Sequence, residues 1–119
     1  MSKKRFQEQP KENFNFLLDL RDFALENNLV NHESVFCTYW LNRAEAYFRN
    51  LKHRSTTPTA DTMAFLAHVL KEKAKETNPK IADVLLVYAD RCYDYIREKA
   101  KYEFEHRDKH EEKIKDLRY

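Results

Sequence analysis

The chain contains no glycine. Strand hairpins prefer turns whose central residues sit at positive φ, where glycine has no steric cost, so a glycine-free chain with three prolines argues against a β-rich fold. Helices joined by asparagine-capped turns remain. The same absence removes the P-loop, the dinucleotide-binding fingerprint, the nucleophile elbow and the EF-hand loop, each of which needs glycine where the backbone turns sharply or approaches a ligand.

The pattern then divides into four helical segments. Residues 1–9 are polar apart from Phe6 and read as a loose arm ahead of Pro10, which suits the first turn of a helix. Phe16, Leu17, Leu20, Phe23 and Ala24 keep helical spacing to Glu26, and Phe14, Leu18 and Leu25 form a second row that Arg21 interrupts. Asn27 and Asn28 can end that helix in the left-handed conformation, and Asn31 can cap the next. The second segment is expected as one helix from about His32 to Lys52, with Phe36, Trp40, Ala44, Tyr47 and Leu51 on its stripe. Trp40 is expected to be buried against the last helix.

Thr57-Pro58 or Thr59 can start the third helix, whose stripe is Met63, Leu66, Ala67, Leu70 and Ala74. Asn78-Pro79 repeats the cap-and-proline signal and opens a fourth helix with no proline or glycine to stop it before Tyr119. Its first half is apolar nearly all round and so is expected to be covered on several sides. After Phe104 come nine residues without an apolar side chain, which cannot face a core. The expected architecture is all-α: an antiparallel four-helix bundle with a long, partly projecting C-terminal helix. The expected organisation is an arm over 1–9, a bundle domain over 10–104 and a charged extension over 105–119.

Candidate chemistry is sparse. Glu103, His106 and His110 share a helix face, but a bundle dimetal site needs two such segments and further inward glutamates. Cys37 and Cys92 fall on or beside apolar stripes, where free cysteine behaves as a small hydrophobe. The three serines lack an oxyanion-binding turn. A non-enzymatic protein without cofactor or metal is expected. The start of the chain carries no export signal and no run approaches a membrane span, so a cytoplasmic protein with reduced thiols is expected.

Charge is local. The formal net charge is +2, and it resides in residues 32–57, where Arg43, Arg49, Lys52 and Arg54 face only Glu33 and Glu45; the segments on either side are balanced. With His53 these cations make an anion-friendly corner at the end of the second helix, either as compensation for its dipole or as a nucleic-acid contact. Tyr93, Tyr95 and Tyr102 are expected at a boundary or a partner contact, because a tyrosine hydroxyl needs a polar neighbour. Ile114, Leu117 and Tyr119 return after the charged run at a spacing suited to docking. The leading expectation is therefore a small regulatory or adaptor protein that binds another protein through its helix faces, with self-association left open. The alternative is nucleic-acid binding through Arg43, Arg49, Lys52, His53 and Arg54.

Overall fold

The computed structural model describes residues 2–107, with side chains from Phe14 onward. Among these residues the protein is all-α: α1 (Ser2–Glu26), α2 (Glu33–Val35) continuing into a π-helical turn (Phe36–Trp40), α3 (Tyr47–Arg54), α4 (Ala60–Glu76) and α5 (Pro79–Glu105). It forms a helical bundle from which the long last helix projects. Helical backbone in α1 begins at Ser2, upstream of the expected start at Pro10 and through the residues read as an arm.

Helix ends follow the capping chemistry of a chain without glycine. Asn28 takes φ 57° after α1, and the Leu29 amide donates back to the Ala24 carbonyl at 2.8 Å. Asn27 Nδ2 also donates to the Phe23 carbonyl at 2.8 Å, so two C-terminal carbonyls gain partners there. Ser55 closes α3 in the same left-handed region, at φ 52°. The cap of α2 is His32, whose Nδ1 accepts from the Ser34 amide at 3.1 Å, and not the expected Asn31. Thr59 caps α4 and Asn78 caps α5, with Pro79 in the first turn.

The expected continuous helix over residues 32–52 is broken. The Leu41 amide reaches the Phe36 carbonyl and the Arg43 amide reaches the Cys37 carbonyl, and Asn42 takes φ 57°. Within this π turn and at its end Phe36, Cys37, Trp40 and Leu41 are all buried. Tertiary partners hold the break. Cys37 is buried in the π turn, and Ala46, ahead of α3, supplies no side-chain cap. Arg43 Nε donates to Thr62 Oγ1 at 2.7 Å, tying the break to α4. Trp40 is buried, 5.4 Å from Phe36 between ring centroids, and outside α2 its segment packs chiefly on α4.

The main packing is the antiparallel pair α4–α5, joined by the two residues Thr77 and Asn78. Leu66, Ala67 and Leu70 of α4 face Leu85, Ala89 and Cys92 of α5 in one core, which Leu17, Leu20 and Ala24 of α1 complete. Tyr88 of α5 stands 6.4 Å from both Phe16 and Phe23, which fixes α1 on α5. The first half of α5 is less covered than its composition suggested, because Leu86 and Val87 are exposed.

Candidate protein-docking groove

Because α1 packs mainly on α5, it is left flanking α3 across an open groove of about 680 Å³. Phe14 and Leu18, one turn apart on α1, face Phe48 and Leu51 of α3 across its apolar floor. Asn15 and the turn Ser55-Thr56-Thr57 supply neutral polar groups. Arg21, Arg49 and Lys52 complete the lining, so among the described residues the groove wall carries three cations and no carboxylate.

Arg21 explains the interruption of the second apolar row of α1. Its Nη1 donates to Glu33 Oε1 at 2.8 Å, it pairs with Asp22 at 3.0 Å, and its guanidinium lies 5.3 Å from the centroid of Phe48. Phe48 is stacked in turn on Phe36, at 6.1 Å. One side chain thus ties α1 to α2 and α3 while forming part of the groove wall. The opposite wall is also fixed: Tyr95 Oη donates to the Pro58 carbonyl at 2.7 Å, which anchors the chain just beyond Thr57 to α5. Two of the segments that bound the groove are thus held by defined contacts.

The cations of the basic corner line two adjoining clefts that share Leu51 and Thr56. Arg49 and Lys52 line the groove, whereas Arg43 and Arg54 line a second cleft of about 430 Å³ with Asn42, Asn50 and Thr56. Arg43 is engaged with Thr62 and, at 3.4 Å, with Thr59. His53 is exposed. Of the tyrosines singled out by sequence, Tyr95 is buried with its hydroxyl bonded within the chain to Pro58, and Tyr93 is exposed on α5 with the Lys71 ammonium 4.8 Å from its ring centroid. Tyr102 is half-buried and stacks on His106, with centroids 4.1 Å apart. Ile114, Leu117 and Tyr119 lie outside the described residues.

Both cysteines are buried free thiols. Burial pushes Cys92 up to about 12, and it also raises Cys37. Neither thiol is a thiolate at neutral pH, so neither is a ready nucleophile. Among the described residues no group of three or more His, Cys, Asp or Glu side chains is placed to hold a metal ion. No described helix is long and apolar enough to cross a membrane.

The fold and groove define a small all-helical domain with a cation-rimmed apolar cleft. A model of a family described as Family of unknown function (DUF6626) matches residues 17–113, and the chain belongs to that family. No curated protein and no solved structure matches it.

Proposed function

We propose that the protein is a non-enzymatic regulatory or adaptor domain that binds another protein in the groove between α1 and α3. The observation that carries this reading is the lining itself: Phe14, Leu18, Phe48 and Leu51 form an apolar floor, and among the described residues its charged lining is Arg49, Lys52 and Arg21, the last already paired with Asp22 and Glu33. Such a floor gains from removing apolar surface from water, at about 25 cal/mol per Å². The rim favours a partner segment that carries carboxylates beside its apolar anchors. Phe14 and Leu18 are only half-buried, so they have surface left to give to a partner.

Selection of peptides from a random display library tests this. Binders should combine two or three apolar residues at helical spacing with Asp or Glu, and Leu18→Glu or the pair Arg49→Glu and Lys52→Glu should abolish their retention. Recovery of binders that are indifferent to both changes would reject the groove as the site.

Nucleic-acid binding remains the competing reading, supported by the polar cleft around Arg54, Asn42 and Asn50. Its signature is retention on DNA or RNA that weakens steeply with salt and is lost with Arg49→Glu, Lys52→Glu and Arg54→Glu together. Equal retention by parent and variant at low salt eliminates it.

A further inference from the structure

We propose that the outward face of α5 is self-complementary and pairs two copies of this chain in an antiparallel helix contact. Leu86, Asp90, Tyr93, Arg97, Ala100 and Phe104 follow one another at alternating intervals of four and three. That spacing places six side chains on one stripe, the seam geometry of paired helices, over a length of about 27 Å. All six residues are exposed, with Leu86 at 43% and Phe104 at 60%. Phe104 has the Arg107 guanidinium 4.1 Å from its ring centroid, and both it and Leu86 keep apolar surface open to a second chain.

The charge order identifies the occupant. Along the stripe and its edge, Asp90 and Asp94 come first and Arg97 and Lys101 follow, all of them exposed. A second α5 running in the opposite direction, with the two-fold axis level with Tyr95, sets Asp90 against Lys101 and Asp94 against Arg97 in both halves of the contact. The same register sets Leu86 on Phe104 and lays the guanidinium of Arg97 over Tyr93, the arrangement already made within one chain by Lys71 and Tyr93. A parallel pairing would oppose acid to acid and base to base. Within one chain Arg97 is paired with Asp94. Both are exposed, and a pair of that kind holds its partners weakly enough to be shared with a second copy. A single helix-to-helix contact is smaller than the roughly 800 Å² per partner of a standard interface, so the dimer exchanges with free chains and depends on concentration. None of these residues lines the α1–α3 groove, and the dimer stands or falls independently of what the groove binds.

Sedimentation equilibrium of the full chain over a concentration series tests the pairing. The parent should rise from the 14.5 kDa of one chain towards twice that mass. Asp90→Lys with Asp94→Lys makes the stripe all basic, and Arg97→Glu with Lys101→Glu makes it all acidic. Each variant alone should remain a monomer, and an equimolar mixture of the two should recover the dimer. Leu86→Gln with Phe104→Gln, a change confined to exposed side chains, should also leave a folded monomer, as judged by helical circular dichroism. A parent that stays monomeric into the millimolar range, charge variants that dimerise like the parent, or a mixture that stays monomeric would each overturn the proposal.

Discussion

The hydroxyl of Tyr95, late in α5, donates to the carbonyl oxygen of Pro58, just ahead of α4, and both residues are buried. The bond fixes the antiparallel α4–α5 pair at its open end, opposite the Thr77-Asn78 turn, and steadies the Ser55–Thr57 wall of the groove. It also provides a partner for a carbonyl that burial would otherwise strand. Tyr95→Phe should therefore cost about 1–3 kcal/mol, more than the mean hydrogen bond, because the Pro58 carbonyl stays buried without its donor. Urea denaturation checks this: the midpoint should fall with little change in slope.

Left-handed backbone at Ser55 is a steric burden that glycine would not carry. Ser55→Gly should stabilise the protein by about 0.5–1 kcal/mol and raise the thermal midpoint by a few degrees. Asn28→Gly should give less, since asparagine tolerates that region better than serine. A loss of stability at Ser55→Gly would show that its hydroxyl does something the backbone geometry does not reveal.

The thiols should make stability sensitive to alkali. Cys92 is raised from 9.0 to about 12 by burial, so its contribution is complete below pH 9 and is lost as pH rises from 9 towards 12. Cys37, Tyr47, Tyr88 and Tyr95 are also raised, chiefly by burial, and act in the same direction. Cys92→Ala should lower stability at neutral pH and flatten the decline above pH 9. At pH 8 an aromatic disulfide reagent should react with neither cysteine until denaturant is added; a fast-reacting native thiol would contradict the burial of Cys37 or Cys92.

Where backbone signals were local, the sequence carried the fold. Asn78-Pro79, Thr59 and the stripe from Met63 to Leu70 specify α4 and α5 because capping and periodicity act within a few residues. The break at Leu41–Ala46 was not legible for a physical reason. Phe36, Trp40, Ala44, Tyr47 and Leu51 keep helical spacing across it, and the group that ties the break to the body, Thr62 for Arg43, is distant in sequence. The groove was half legible. Arg49 and Lys52 stood out by charge, but Phe14 and Leu18 looked like a second core row, and only the placement of α3 beside α1 turns them into a binding floor. Exposure of Leu86 and Val87 follows the same logic, since composition alone cannot say which sides of a helix find neighbours.

The most direct test of the groove is amide chemical-shift mapping with a selected acidic, apolar-spaced peptide titrated into the ¹⁵N-labelled chain. The largest shifts should cluster at Asn15, Leu18, Arg21, Phe48, Leu51 and Lys52, with Leu18→Glu removing them. Shifts concentrated on the outer face of α4, or persisting undiminished in Leu18→Glu, would contradict binding between α1 and α3.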